Sequence, residues 1–137
     1  MKKIDSIIIH CSATRAEQDI KAKDIDRMHR ARGFSQIGYN YVIDLDGTIE
    51  AGRPLTIAGA HCIGYNDHSV GICYIGGLDT SGKPADTRTP VQKTAMDDLI
   101  NKLTREYEIA ELLGHRDTSR DLNDNGIVEP FEWIKLC

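Results

Sequence analysis

Ser6-Ile7-Ile8-Ile9-His10 is the strongest structural signal in this chain of 137 residues. Three consecutive isoleucines predict a strand over residues 4–10 that is covered on both faces, as the inner strands of parallel and mixed sheets are. Residues 69–76 predict a second buried strand, and residues 111–114 predict a short one that leads to His115. Together these apolar runs indicate one central sheet.

Shorter strands and two helices complete the pattern. Strands at residues 38–43 and 48–50 flank Asp44-Leu45-Asp46-Gly47, whose Asp-Gly pair predicts a hairpin turn. Residues 51–68 predict a long surface excursion. A helix over residues 21–33 is expected to carry Ile25, Met28 and Arg32 on one face and to end at Gly33.

The second helix has the clearest signals. Thr89 is a natural N-cap, Pro90 fits the first helical position and Gln92 completes a capping box. Its apolar stripe consists of Met96, Leu99, Ile100, Leu103 and Tyr107. Because strands and helices alternate, the predicted class is α/β, with a mixed central β-sheet flanked by helices. A short helix near residues 130–136 is expected to follow.

Composition excludes several functional classes. The net charge of −4 and the pI of about 5.7 provide no basic footprint, so we expect no nucleic-acid partner. No apolar stretch reaches the ~18 residues of a membrane span, so we expect no membrane partner. Met1-Lys2-Lys3-Ile4-Asp5 lacks the apolar segment of a signal peptide. We therefore expect a cytoplasmic monomer, with residues 1–137 as one domain.

The cysteines are not spaced as a disulfide framework. The chain has four cysteines and no CxxC pair, which favours thiols or ligands over disulfides. Cys73 lies in an apolar run and is expected to be a small buried hydrophobe.

Three soft metal ligands, His10, His115 and Cys137, are distributed along the chain. Both histidines end an apolar run, where the strands of a sheet deliver side chains to a cleft. Two imidazoles and one thiolate suit zinc, and three protein ligands leave a fourth position open, as in catalytic sites. The alternative is that each histidine is an ordinary polar residue after a strand. His29 and His68 are expected to be surface or packing residues.

Several segments in the same order resemble one family. They are Ile9-His10-Cys11-Ser12-Ala13-Thr14, Ile37-Gly38-Tyr39-Asn40-Tyr41, Asp46-Gly47-Thr48-Ile49-Glu50-Ala51-Gly52-Arg53, Ala60-His61 with Gly64-Tyr65-Asn66, Ser69-Val70-Gly71-Ile72-Cys73-Tyr74-Ile75-Gly76-Gly77, and Gly114-His115-Arg116-Asp117. The chain resembles the N-acetylmuramoyl-L-alanine amidases of the phage-lysozyme type, which belong with the type 2 amidases and peptidoglycan recognition proteins. The resemblance runs from about residue 6 to residue 137.

The resemblance implies roles for individual residues. It places zinc on His10, His115 and Cys137, and it implies a catalytic tyrosine at Tyr39 and a catalytic lysine at Lys135. It also implies that His61 lines the substrate cleft. Arg53 and Asn66 are expected to contact the glycan or the peptide. The implied substrate is peptidoglycan or a soluble muropeptide, cleaved between N-acetylmuramic acid and L-alanine.

Alternatives remain for the two implied catalytic residues and for the activity. Tyr39 is otherwise a structural hydroxyl on a strand face shared with Tyr41. Lys135 is otherwise a solvated lysine near a helix C-terminus. A non-catalytic peptidoglycan-binding module is the alternative function, although the cysteine, tyrosine and lysine together favour an enzyme.

An insertion at about residues 119–132 carries a second metal pattern. It matches the calcium loop of EF-hands, with Gly126 at the sharp turn. The predicted calcium ligands are Asp121, Asn123, Asn125, Ile127 through its carbonyl, and Glu132. The alternative is a polar loop whose Asp, Asn and Gly residues only make turns.

Overall fold

The structure, a computed structural model, describes residues 3–62 and 64–114. Nine elements follow one another in the described part of the chain: β1 (Ser6–Cys11), β2 (Thr14–Arg15), α1 (Ala22–Ala31), β3 (Tyr41–Ile43), β4 (Ile49–Ala51), β5 (Ser69–Tyr74), β6 (Gly77–Leu78), α2 (Pro90–Glu106) and β7 (Glu111–Gly114).

A five-stranded mixed sheet forms the centre of the fold, with the strand order β4-β3-β5-β1-β7. Strand β1 runs parallel to β5 and to β7, and β3 runs parallel to β5. Only β4 is antiparallel to its neighbour within this described sheet. Ile7 and Ile8 of β1 are fully buried, as an inner strand requires. The predicted α/β class with a mixed central sheet is therefore confirmed.

Helix α2 covers one face of the sheet. Thr89 Oγ1 accepts the backbone N–H of Gln92 at 3.2 Å, and Gln92 Oε1 accepts the N–H of Thr89 at 2.9 Å, so the capping box is confirmed. Met96, Leu99 and Leu103 are buried in the core on this face, which also contains Ile7, Ile43, Val70 and Ile72. The predicted apolar stripe is thus the face that stabilises α2 on the sheet.

Helix α1 covers the opposite face, but with different residues from those predicted. Ile25 and His29 are its buried residues, whereas Met28 is 43% exposed and Arg32 is also exposed. The predicted face of Ile25, Met28 and Arg32 is wrong, because the i, i+4 pair of Ile25 and His29 packs instead. Ile25 belongs to a second core with Ile37, Val42 and Ile75.

The hairpin is confirmed, although its first strand is shorter than predicted. Asp44 N donates to Thr48 O at 2.8 Å, and Gly47 takes a φ of +87° in the turn. The strand begins at Tyr41, not at residue 38. Tyr39 packs with the α1-side core, whereas Tyr41 packs with the α2-side core, so the two tyrosines do not share a face.

The segment of residues 51–68 is only partly a surface excursion. Ala51 ends β4, and Gly59, His61 and Cys62 are buried. The expectation of a surface segment is wrong at these positions, because Gly71 of β5 lacks a side chain and leaves room for the ring of His61. A small parallel sheet of β2 and β6 was also not expected. No helix in the described ranges is long and apolar enough to cross a bilayer.

Candidate functional site

The site begins at the end of β1, which delivers His10 to the α1 side of the sheet. Alternation along the strand sends Ile7 and Ile9 to the α2-side core, so His10 projects from the other face. His10 is 2% exposed and is the register partner of Cys73, which in turn pairs with Val42. The burial of His10 among strands makes its environment rigid.

A second imidazole contacts His10 directly. His61 lies in the loop before β5, and its Nδ1 lies 2.9 Å from His10 Nε2. Asn66 holds this loop, because its Oδ1 accepts the backbone N–H groups of His61 and Cys62 at 2.8 and 2.9 Å. The ring of His61 lies over Gly71, where a Cβ would come within 2.6 Å of it.

The hydrogen bonds around His61 assign the protons on both rings. Ser69 Oγ donates its single proton to the carbonyl oxygen of Tyr65 at 2.6 Å, so it accepts from His61 Nε2 at 3.1 Å. His61 Nδ1 then accepts from His10 Nε2. Neutral His10 therefore has its proton on Nε2 and a lone pair on Nδ1. Metal-binding histidines commonly take this form, with the second nitrogen donating to a polar neighbour.

Tyr39 lies between two imidazoles. Its ring centroid is 5.1 Å from that of His10 and 5.3 Å from that of His29. Its side chain also forms a hydrogen bond with Cys73, the register partner of His10. These contacts place the predicted catalytic tyrosine beside the first predicted zinc ligand.

Backbone contacts fix the segment that carries Tyr39. Asn40, which is 2% exposed, accepts the N–H of Gly71 at 2.8 Å and donates to the carbonyl of Arg53 at 3.0 Å. Arg53 donates to the carbonyl oxygens of Gln36, Ile37 and Ala58, at 3.2, 3.0 and 3.1 Å. Arg53 and Asn66 therefore both bind loop backbone, and their contact with substrate stays a prediction.

Burial affects the thiols of two cysteines in the strands that flank the site. Burial raises the pKa of Cys11 and raises that of Cys73 well above its ordinary value. Cys73 is fully buried, so its predicted role as a small hydrophobe is confirmed. His29 and His68 are also packing residues as expected, through contacts with Phe34 and Asp5 respectively.

The remaining predicted site residues lie outside the described residues. They are the zinc ligands His115 and Cys137, the catalytic Lys135, and the calcium ligands Asp121, Asn123, Asn125, Ile127 and Glu132. Within residues 3–62 and 64–114, no three His, Cys, Asp or Glu side chains form a group that could hold a metal ion. The described part of the site therefore consists of His10 and the residues that orient it.

Three residues of the site had no role in it predicted from the sequence: Asn40, Ser69 and His29, which was expected only as a surface or packing residue. The i, i+4 spacing of His29 from Ile25 was a usable signal, since that pair shares a helix face. Asn40 binds the backbone of Gly71 and Arg53, and Ser69 binds the ring of His61. These contacts join separate segments, so periodicity within one segment does not predict them.

Comparison with known proteins identifies the family of this chain. A family profile described as N-acetylmuramoyl-L-alanine amidase matches residues 1–126. The chain belongs to this amidase family. An endolysin of Klebsiella phage KP32 is 39% identical over 118 residues, which cover 86% of this chain and 78% of the phage protein.

Solved structures of related proteins share the fold. The N-acetylmuramoyl-L-alanine amidase LysC from Clostridium intestinale URNW superposes with a TM-score of 0.76 at 33% identity, over 98% of this chain and 84% of that one. Human PGRP-IBETAC, solved in complex with glycosamyl muramyl pentapeptide, superposes with a TM-score of 0.71 at 26% identity, over 93% and 80%. These two structural neighbours are thus an N-acetylmuramoyl-L-alanine amidase and a protein solved with a bound glycosamyl muramyl pentapeptide.

Proposed function

We propose that this protein is a zinc-dependent peptidoglycan hydrolase that cleaves the amide between N-acetylmuramic acid and L-alanine of the stem peptide. One observation carries the proposal beyond family membership. The chain from Ser69 through His61 to His10 leaves a lone pair on His10 Nδ1, in a buried position beside Tyr39. That combination is what a metal hydrolase needs from its first ligand.

The proposed zinc ligands are His10, His115 and Cys137. Strand β7 runs parallel to β1, and Gly114 is the register partner of Ile9. His115 therefore follows Gly114 in the sequence as His10 follows Ile9, which supports their acting as a pair. With two imidazoles and a thiolate, bound zinc would polarise the amide carbonyl and lower the pKa of a water molecule to about 7.

Other side chains of this protein would orient the reacting groups. The N–H of His10 is held by His61, so the ring cannot turn its lone pair away without breaking the 2.9 Å bond. Tyr39, packed against His10, is proposed to orient the attacking water or to pass its proton toward the leaving nitrogen. Lys135 is proposed as a donor to the oxyanion, a role typically worth about 10²–10³ in rate.

Arg53 and Asn66 are proposed to act on substrate indirectly. Their polar groups bind the backbone of residues 36–37, 58 and 61–62, so they keep His61 and the Tyr39 segment in place. The loop that contains Asp121 and Glu132 is proposed to bind calcium for stability. A rise in melting temperature with calcium relative to chelator supports that proposal, and identical melting curves contradict it.

The function is tested with purified peptidoglycan or a defined muropeptide. New L-alanine amino termini are measured with and without prior zinc removal, and mass spectrometry identifies the cleaved bond. We expect zinc-dependent release of the stem peptide. Cleavage at another bond, or full activity after chelation with no zinc in the protein, contradicts the proposal. Binding without turnover by the zinc-loaded protein supports the alternative of a binding module.

Variants separate metal binding from chemistry. His10→Ala is expected to lose both zinc and turnover. Tyr39→Phe is expected to retain zinc and to lose most of its turnover, by roughly 10²–10⁴-fold. Tyr41→Phe is the matched control, because Tyr41 is two residues away but packs on the α2 side. It is expected to behave as the unmodified protein.

A further inference from the structure

His29, a residue of α1, packs its ring against the ring of Tyr39. It lies in the last turns of α1, is 7% exposed, and its ring is 5.3 Å from that of Tyr39. His10 contacts Tyr39 as well, at 5.1 Å. The aromatic ring of Tyr39 is therefore packed between a residue of the central sheet and a residue of the helix.

His29 also binds the backbone that carries Tyr39. Its Nδ1 accepts the N–H of Gly38 at 2.9 Å in a buried environment. The carbonyl of the same glycine accepts the N–H of Ala60 at 3.1 Å, and a Cβ at Gly38 would collide with the carbonyl oxygen of Ala60. Gly38, which precedes Tyr39, is thus held by hydrogen bonds at both its N–H and its carbonyl group. His29 accepts the first of these bonds.

The hydrogen bond to Gly38 requires the neutral ring of His29. An amide N–H is only a donor, so Nδ1 must carry a lone pair and the ring proton must be on Nε2. Burial lowers the pKa of His29, and the charges of Arg32 and Arg53 lower it further, whereas Asp26 raises it. The electrostatic environment therefore favours the form that the geometry demands.

We propose that His29 is a positioning residue for the hydrolytic reaction, acting through Tyr39. This inference rests on the proposed function, in which Tyr39 acts on the reacting groups. His29 fixes Tyr39 in two ways: its ring limits the rotation of the tyrosine side chain, and its Nδ1 fixes the preceding peptide. Misplacement of a reacting group by about 1 Å can cost about 10²-fold in rate.

Two substitutions separate the two contributions. His29→Phe keeps an aromatic ring against Tyr39 and removes the acceptor for Gly38. His29→Asn keeps an acceptor near the position of Nδ1 and removes the ring. We expect each variant to lower kcat by about 10- to 100-fold with unchanged KM and unchanged zinc content. Met28→Phe, an exposed neighbour on the same helix, is the matched control and should keep its kcat.

A double substitution distinguishes positioning from general structural damage. In the Tyr39→Phe background, His29→Phe and His29→Asn should lower the remaining kcat by less than about twofold, because the group they position is already gone. Equal losses in both backgrounds overturn the inference. Unchanged kcat in the His29 variants of the Tyr39-containing protein also overturns it.

The two proposals fail in different ways. If Tyr39→Phe is slow but both His29 variants are normal, only the positioning role is lost. If Tyr39→Phe is fully active, the role of Tyr39 in the proposed function and the role of His29 are both rejected. If one His29 variant fails to fold, which circular dichroism reports, the other variant gives the same comparison.

Discussion

Replacement of Gly71 by alanine tests the packing at the centre of the site. Gly71 lies in β5 beneath the ring of His61, and a Cβ built there would be 2.6 Å from two ring atoms. To reach an ordinary contact of about 3.4 Å, the ring must withdraw by about 0.8 Å. That shift would displace both ring nitrogens and weaken the bonds from His61 to His10 and Ser69, now 2.9 and 3.1 Å.

The expected loss of stability follows from these two effects. Inserting one methyl group into a packed core costs about 1–3 kcal/mol. Each buried hydrogen bond that is weakened costs about 1 kcal/mol. Alanine in a strand is more stable than glycine by about 0.5–1 kcal/mol, which offsets part of this loss. We therefore expect Gly71→Ala to lower the free energy of unfolding by about 2–4 kcal/mol, a large share of the ~5–15 kcal/mol of a typical domain.

The double variant with His61→Ala gives the decisive comparison. Removing the imidazole ring removes the three atoms nearest the new methyl group, and alanine is favoured over glycine in a strand by about 0.5–1 kcal/mol. The substitution should thus change sign, from destabilising to neutral or stabilising. Guanidinium unfolding of the four proteins measures the coupling energy, which we expect to be about 3 kcal/mol.

The control for this cycle is Gly33→Ala. Gly33 has a φ of +98° and no atom within 4 Å of a built Cβ, so its cost comes from backbone strain and should be equal with and without His61. An equal cost of Gly71→Ala in both backgrounds would show that the ring of His61 is not what excludes a side chain at Gly71.

Three further predictions concern stability. Thr89→Ala should cost about 1 kcal/mol through loss of the N-cap of α2, whereas Thr94→Ala, on the exposed side of the helix, should change unfolding by less than about 0.5 kcal/mol. The hydrogen bond that His68 donates to the carboxylate of Asp5 raises the pKa of His68. The stability that His68 adds is therefore fully present below about pH 6.5 and is lost as pH rises through the raised pKa. The difference in melting temperature between the unmodified protein and His68→Gln should shrink over that range, and a constant difference would exclude this pair as the cause. Burial and the neighbouring Glu50 raise the pKa of Asp44 to about 7, so the folded protein retains a proton that the unfolded chain loses near pH 4. The stability of the unmodified protein relative to Asp44→Asn should therefore fall as pH rises from 4 to 8. A flat or rising difference would contradict this prediction.

Elements with strong local signals were predictable from the sequence. Strands β1 and β5 consist of apolar runs that are stable only when both faces are covered. Both are inner strands of the sheet, as these runs predict. The capping box at Thr89 specified the start of α2, and the Asp-Gly turn specified the hairpin. In each case the sequence pattern and the tertiary structure favour the same outcome.

Features that depend on distant residues were not predictable in the same way. Met28 is exposed because His29, rather than Met28, packs on the sheet side of α1. His29 packs there through its contacts with Gly38 and Tyr39. The burial of His61 depends on the absence of a side chain at Gly71. Such contacts join loops to a sheet across many residues, so periodicity within one segment does not contain them.

The candidate site was predictable in its residue types more than in its geometry. His10 at the end of a buried strand and Tyr39 in its motif were singled out, and the structure brings them together. The hydrogen bond between His10 and His61 was not expected, although both residues were named. The roles of His115, Lys135 and Cys137 stay predictions.

The parallel arrangement of the sheet has a consequence for how the protein acquires its structure. The strand partners of Ile7 are Val70 and Leu112, so one neighbour of the isoleucine strand is over sixty residues away and the other more than a hundred. Chains with such distant strand pairings fold slowly, and hydrophobic surface that promotes aggregation stays exposed until folding is complete. On the ribosome, the isoleucines emerge well before either partner, and we expect a nascent chain that engages chaperones until both have been synthesised.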